Sequence, residues 1–333
     1  MTKRMRRLIF FIIIFILLVM IGYLKRDDIL LSFNKQLDTK TKELMKEKLS
    51  TMEIKDIVFT KGDLSDFKEQ IALDDFDYNN ISYYRYFNEI SKASNDLVVK
   101  KANQYEREEV SLTMIKNFNK TEANLKSFNN VLENGVFGVK DAVLVINPEN
   151  KLTIANKDYY LNYYAPKQLV NVGDVPKLDD EKYLLTAETN AALTKMCNDI
   201  EKTNNEQCGN LVLTSAYRNY QDQRNLYLSM ISSDEANKDY VNRPGTSEHQ
   251  LGNTLDIMTS GVKQEDYDKT AQYRWIKANA AKYGFIIRYP ENKEKITGIK
   301  FEPWHLRYVG IATAQDINAK NLTLEEYRET YFK

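Results

Sequence analysis

An uncharged apolar run near the start of the chain most constrains how the chain can fold. It extends from Leu8 to Leu24, and its seventeen residues approach the minimum length of a helix that crosses a bilayer. Basic residues at positions 3, 4, 6 and 7 precede it, and such a flank keeps the N-terminus in the cytoplasm. We therefore predict a cytoplasmic tip and transmembrane anchor at residues 1–24, with the rest outside the cell membrane. A cleaved signal peptide is the alternative, and it would also export the remainder.

Charge and cysteine content exclude several classes of function. The chain has 47 basic and 47 acidic residues, so it lacks the basic excess that phosphate backbones attract, and we predict no nucleic-acid partner. Its two cysteines, Cys197 and Cys208, are too few for a cysteine-only zinc site or an iron–sulfur cluster. An exported chain could join them in a disulfide, but two small buried apolar side chains are equally compatible with the pattern.

The sequence changes character near position 137. Residues 25–137 are polar and show apolar residues at helical spacing, which predicts a helical stalk or small accessory module. A cell-wall-binding module is the alternative for this segment. Residues 138–333 alternate helical patterns with strand-like runs such as GNLVLTSAY, GNTLDIMT and GFIIRY, which predicts an α+β domain.

Both histidines of the chain lie close to carboxylates. His249 and Asp256 belong to SEHQLGNTLDI, where Gly252 allows a sharp turn between them, and Glu302 precedes His305 by three residues in EPWHLRYVG. Two imidazoles and one carboxylate form a zinc-binding set that leaves a fourth position open. We predict His249, Asp256 and His305 as the ligands and Glu302 as the general base of a metal-assisted hydrolysis.

Three blocks of the sequence resemble the VanY-type D-alanyl-D-alanine carboxypeptidases, within the wider group that includes lysostaphin-type enzymes and sonic hedgehog. The blocks are SAYRNYQDQ, RPGTSEHQLGNTLDI and GFIIRYPENKEKITGIKFEPWHLRYVG, within roughly residues 142–333. The resemblance implies a small mixed or antiparallel sheet flanked by helices and one Zn²⁺ per chain. It also implies the same ligands and base, and a substrate that is a peptidoglycan stem peptide ending in D-alanine.

The resemblance also implies residues that bind the substrate. Arg218, with Gln223 and Ser247, would bind the terminal carboxylate or the polarised carbonyl of the substrate, and Trp304 would line the pocket. An arginine presents a charged fork that suits a carboxylate. Taken alone, an arginine such as Arg218 is more often a surface ion-pair partner. Ser247 is also compatible with a turn or a helix cap, Gln223 with a solvated helix position and Trp304 with packing.

The expected activity is D,D-carboxypeptidase action, in which the enzyme removes the terminal D-alanine. Its D-specificity is implied by the resemblance and by nothing in charge or spacing. An L,D-carboxypeptidase or a peptidoglycan endopeptidase is the enzymatic alternative. A wall-binding or signalling module with a vestigial site is the alternative from another class, and it would show no zinc dependence.

Overall fold

The structure is a computed structural model that describes residues 22–23, 25–32, 37–60, 67–136, 142–233 and 241–332. It divides into two compact units, Met1–Glu106 and Arg107–Lys333. Among the described residues, none of the helices is long and apolar enough to cross a membrane. The predicted anchor at Leu8–Leu24 lies outside the described residues except for Gly22 and Tyr23, so it stays a prediction.

The first unit is helical where it is described, as the apolar spacing predicts. Its helices are α1 (Arg26–Ser32), α2 (Thr39–Lys48), α3 (Thr51–Thr60), α4 (Ile81–Ile90) and α5 (Asn95–Arg107). Two 3₁₀ turns, Gln70–Ala72 and Tyr78–Asn80, precede α4. The aromatic residues of α4 pack helix on helix, since the rings of Phe87 and Tyr105 meet edge to face with centroids 6.1 Å apart.

The second unit begins at Arg107, and its first described part is helical. Its first helices are α6 (Leu112–Phe118) and α7 (Glu122–Asn134). They pack against the rest of this unit, because α7 contacts the strand β1 (Val143–Leu144), and Asn162 Nδ2 donates to Ser127 Oγ of α7 at 2.6 Å.

The remaining elements of the second unit are short strands and helices around one central sheet. They are β2 (Tyr159–Tyr160), β3 (Leu169–Asn171), β4 (Leu184–Thr186), α8 (Ala187–Asn204), β5 (Leu211–Ser215), α9 (Tyr220–Ser233), β6 (Thr254–Thr259), α10 (Ala271–Asn279), β7 (Phe285–Tyr289), α11 (Glu294–Thr297), β8 (Glu302–Tyr308), α12 (Ile311–Lys320) and α13 (Leu324–Tyr331). The described residues of this unit also form 3₁₀ turns at Gln207–Asn210, Glu248–Leu251, Gln264–Lys269 and Ala280–Tyr283.

The central sheet is antiparallel in the order β5-β6-β8-β7. One face packs against a large apolar core, to which Leu213, Leu255, Ile257, Phe285 and Leu306 contribute. Because successive side chains of a strand alternate between faces, the residues between these core positions project from the opposite face. This confirms the predicted α+β class and the strands read from the three apolar runs.

The two cysteines, whose pairing the sequence left open, form a disulfide. Cys197 lies in α8, and Cys208 lies in the 3₁₀ turn that leads into β5. The bond joins the helix to the start of the sheet inside the apolar core, in which both cysteines are buried.

Candidate active site

The antiparallel pairing of β6 with β8 brings two of the predicted ligands together. Asp256 of β6 lies directly opposite His305 of β8, and directly opposed residues project from the same face. Asp256 Oδ1 is 3.0 Å from His305 Nδ1. The core residues Leu255 and Ile257 flank Asp256 and point the other way, so the carboxylate lies on the face that carries the site.

The third predicted ligand comes from the 3₁₀ turn before β6. His249 Nε2 is 3.3 Å from Asp256 Oδ2. Gly252 ends the turn with φ +71°, a conformation that strains L-residues, and an added Cβ there would lie 2.9 Å from Leu169 Cδ2. The predicted role of this glycine is therefore confirmed, since it reverses the chain between His249 and the strand that carries Asp256.

The three side chains fit a single metal ion. One ligand atom from each of His249, Asp256 and His305 lies within 4.8 Å of the other two. His249 Nδ1 is 2.7 Å from the carbonyl oxygen of Ala216, and a proton shared there leaves Nε2 free to coordinate. Burial lowers the pKa of His249, despite the opposing effect of Asp256, and so favours the neutral imidazole that binds metals.

The charge of Asp256 is maintained against its burial. Burial alone raises the pKa of this carboxyl, but His249 and His305 outweigh it and hold the pKa below its usual value. For His305, burial by itself lowers the pKa of the imidazole. The hydrogen bond to Asp256 outweighs this effect, so that the pKa of His305 lies above its usual value. The carboxylate is therefore anionic at neutral pH, as a metal ligand must be.

Glu302 reaches the site because β8 is irregular. Glu302 and His305 are three residues apart and would project from opposite faces of a regular strand. The pairing with β7 shifts register, however, since Ile287 lies opposite Leu306 whereas Tyr289 lies opposite Glu302. The irregularity brings Glu302 Oε2 to 3.6 Å from His305 Nδ1.

Burial gives Glu302 the pKa of an acid–base catalyst. It raises the pKa to about 7, with Asp256 adding to the rise and the cationic forms of His305 and Arg218 opposing it. A carboxyl that titrates near neutral pH can accept a proton and later return it. Its side chain is 25% exposed, so solvent and substrate can reach it.

Arg218 lies among the carboxylates of the site. It follows the end of β5, and its backbone N–H donates to the carbonyl oxygen of His249 at 3.3 Å. Burial lowers the pKa of its guanidinium, while Asp256, Asp222 and Glu302 raise it, which places the group within electrostatic reach of both site carboxylates. Its Nε is buried and hydrogen-bonds to none of the described residues.

The other predicted substrate residues take different positions. Gln223 is 1% exposed, and its Nε2 donates to the carbonyl oxygen of Asn242, so it supports the loop that leads to His249. Ser247 is buried at the start of the 3₁₀ turn that carries His249. Trp304 is partly buried and packs against the large core. The structure thus places Ser247 on the turn that carries a ligand, whereas Trp304 contacts the apolar core.

Sequence reasoning missed a buried ion network beneath the ligands. Glu248 Oε1 accepts from Arg288 Nε at 2.9 Å, and Glu248 Oε2 lies 2.8 Å from Arg307 Nη1. Arg288 also donates two hydrogen bonds to Glu325 of α13. Burial raises the pKa of Glu248, but the two arginines outweigh it and hold the pKa below its usual value. The signal was Arg288 itself, a charged residue in the apolar run GFIIRY.

Comparison with known proteins agrees with this geometry. Residues 182–311 match the family model described as VanY: D-alanyl-D-alanine carboxypeptidase. YodJ of Bacillus subtilis (strain 168), which is named as a carboxypeptidase, is 42% identical over 192 residues, or 55% of this chain and 68% of YodJ. A D-alanyl-D-alanine carboxypeptidase of Enterococcus faecium is 37% identical over 45% of this chain and 46% of its own length.

A solved structure of the LdcB LD-carboxypeptidase is similar as well. It is 40% identical, with a TM-score of 0.53, and the match covers 58% of this chain and 91% of that chain. The matched fraction of each relative differs widely, from about half of the Enterococcus faecium protein to nearly all of the solved one.

Proposed function

The chain belongs to the VanY family of D-alanyl-D-alanine carboxypeptidases and is a metallopeptidase, and from this premise we propose that it is a zinc-dependent D,D-carboxypeptidase. It would remove the C-terminal D-alanine from peptidoglycan stem peptides. One observation carries the proposal: three ligand side chains, a carboxyl of raised pKa and the half-buried guanidinium of Arg218 converge beside one face of the central sheet.

Zinc is the cofactor that suits the ligand atoms. Two imidazole nitrogens and one carboxylate oxygen, from His249, Asp256 and His305, are the ligand types that catalytic zinc sites use while a fourth position stays open. When bound, the ion supplies a Lewis acid that polarises a carbonyl and acidifies water. The chain supplies the geometry, because the contact between His249 Nδ1 and the carbonyl of Ala216 orients the imidazole.

Glu302 moves the proton in this scheme. Its carboxylate accepts a proton from the attacking water and then delivers it to the amine that leaves. A pKa near 7 suits both steps, because the group gains and loses a proton at similar cost at neutral pH. The charge of Arg218 nearby assists by favouring the anionic form before the reaction starts.

Arg218 selects a terminal residue. Its guanidinium presents parallel N–H donors that match a carboxylate, and its Nε is buried and hydrogen-bonds to none of the described residues. A free carboxylate of the substrate would provide the missing acceptor. A peptide that continues past this point offers no such charge, so the enzyme acts from the C-terminal end.

L,D-carboxypeptidase activity is the second candidate, because the LdcB structure matches over 91% of its length. Both activities release one terminal D-alanine, and they differ in the residue that precedes the broken bond. The family model and the Enterococcus faecium relative support the D,D activity.

Mass spectrometry of digested stem peptides separates the two candidates. The purified protein is incubated with a pentapeptide stem that ends in D-alanyl-D-alanine and, separately, with the tetrapeptide stem. The proposal predicts loss of one D-alanine from the pentapeptide. Cleavage of the tetrapeptide alone would replace it with the L,D activity, and cleavage of neither would contradict both. Glu302→Gln serves as the matched inactive control.

The location of the enzyme is also a proposal. The basic residues before Leu8–Leu24 support an anchor whose following residues lie outside the cytoplasm, where peptidoglycan is found. Protease added to intact spheroplasts should then degrade the catalytic unit. Full protection of that unit would contradict this orientation.

A further inference from the structure

A groove outside the catalytic centre is lined by helix α7 and by residues that adjoin the active site. It encloses about 710 Å³, and its walls include Asn130 of α7 together with Tyr160, Asn162, Tyr163 and Tyr220. We name it the α7 groove. The α7 wall of this groove precedes residues 182–311, the region that the family model matches, whereas Tyr220 lies within that region.

The wall of the α7 groove is tied to the loop that carries the ligand His249. Gln250, the next residue, is fully buried and donates from Nε2 to the carbonyl oxygen of Asn162 at 2.7 Å. The backbone N–H of Leu161 donates to the carbonyl oxygen of Gly245 at 2.7 Å. The ring of Tyr160 lies so close to Gly245 that an added Cβ would collide with it. The groove and the catalytic loop therefore form one packed structure.

The chemistry of the groove suits a saccharide. Tyr163 is 71% exposed, and its ring centroid is 4.2 Å from that of Tyr220, so two aromatic rings face the open space. Amide side chains, among them Asn130 and Asn162, supply donors and acceptors beside the rings. Among the described residues that line the groove, Lys126 carries the only formal charge. Such a surface favours a ligand with apolar C–H faces and many neutral polar groups over a charged peptide.

We propose that the α7 groove binds the N-acetylated glycan to which the stem peptide is attached. The inference rests on the proposed function, since that function supplies a peptide joined to a sugar. The distances permit it. Tyr220 follows Arg218 by two residues, so their Cα atoms are at most about 7 Å apart. A stem peptide of four or five residues spans roughly 15 Å when extended, so one substrate can reach both places.

Kinetics with two substrates tests the inference. One substrate is the stem peptide on its N-acetylglucosaminyl-N-acetylmuramyl disaccharide, and the other is the same peptide without sugar. Tyr163→Ala should raise the KM of the sugar-bearing peptide about 3- to 10-fold more than that of the free peptide, as expected for the loss of one aromatic contact. The variant should fold normally because Tyr163 is largely exposed. Tyr331→Ala, which removes an exposed tyrosine of α13 outside the groove, is the matched control. It should leave the KM of both substrates unchanged.

A binding measurement that needs no hydrolysis separates this inference from the proposed function. The peptide-free disaccharide is titrated into the metal-free protein and followed by NMR. Binding that Tyr163→Ala weakens supports the groove as a glycan site, even if the protein hydrolyses neither peptide. Absence of binding overturns the inference, and so does an equal rise in KM for both substrates, which would make the groove a peptide site.

Discussion

Replacing Glu248 with glutamine should weaken both the fold and the metal site. Glu248 follows Ser247 and precedes His249 on the same 3₁₀ turn, and it pairs with Arg307, which follows His305 by two residues on β8. The carboxylate therefore links the two segments that carry the histidine ligands. Glutamine keeps the size of the side chain but turns an N–H donor toward one of the two arginines.

The magnitude follows from the burial of the network. The side chains of Glu248, Arg288 and Arg307 are all at most 1% exposed. Arg288 keeps Glu325 after the change, whereas Arg307 keeps only carbonyl oxygens, those of Lys151 and Thr153, among the partners that the structure describes. Breaking a buried ion pair on one side costs about 3–5 kcal/mol, and the remaining partners favour the lower end. At 2–4 °C per kcal/mol for a unit of this size, Tm should fall by about 6–12 °C.

Two measurements on Glu248→Gln distinguish support of the site from support of the fold alone. Differential scanning calorimetry gives Tm, and competition with a chromogenic chelator gives the zinc dissociation constant, which should rise about 10- to 100-fold. The control is Glu149→Gln, which breaks the exposed pair with Lys167 and should lower Tm by less than about 3 °C. A lower Tm with unchanged zinc affinity would refute the linking role, and no change in either would refute the whole argument.

The remaining predictions concern catalysis and the disulfide. Glu302→Gln should lower kcat about 100-fold or more while zinc content stays at wild-type level, and retained kcat would remove Glu302 as the base. Arg218→Ala should lower kcat/KM about 10- to 100-fold on a peptide with a free C-terminal carboxylate. On the same peptide with a C-terminal amide, kcat/KM should barely change, and an equal loss on both peptides would exclude carboxylate recognition by Arg218. The double variant Cys197→Ser with Cys208→Ser should lower the free energy of unfolding by about 2–3 kcal/mol in urea titrations without reductant. Wild type in reductant should match it, and equal stability throughout would show that the bond contributes nothing.

The strands that carry the ligands could be predicted because each is a local feature. The apolar runs around Leu213, Ile257 and Ile286 each lie on a core strand, and their periodicity is legible without knowing the partner strand. The ligand set could be predicted for a similar reason. The chain has only two histidines, and each occurs near a carboxylate.

The features that were missed depend on pairing between distant segments. Glu248 meets Arg288 and Arg307 only because β8 lies between β6 and β7, an order that local patterns do not encode. The place of Glu302 in the site was predicted from its motif, but the shifted register at Tyr289 that brings it beside His305 was not, since strand alternation would have separated the two. Trp304 packs against the core, a contact that its position in the motif does not indicate.

Anomalous diffraction from crystals grown with zinc tests the central claim most directly. Difference maps collected above and below the zinc absorption edge locate the ion without reference to activity. The account predicts one peak per chain, within about 2.0–2.2 Å of His249 Nε2, an Asp256 carboxylate oxygen and His305 Nδ1. A peak held by other side chains, or none at these three in zinc-saturated crystals, would contradict it.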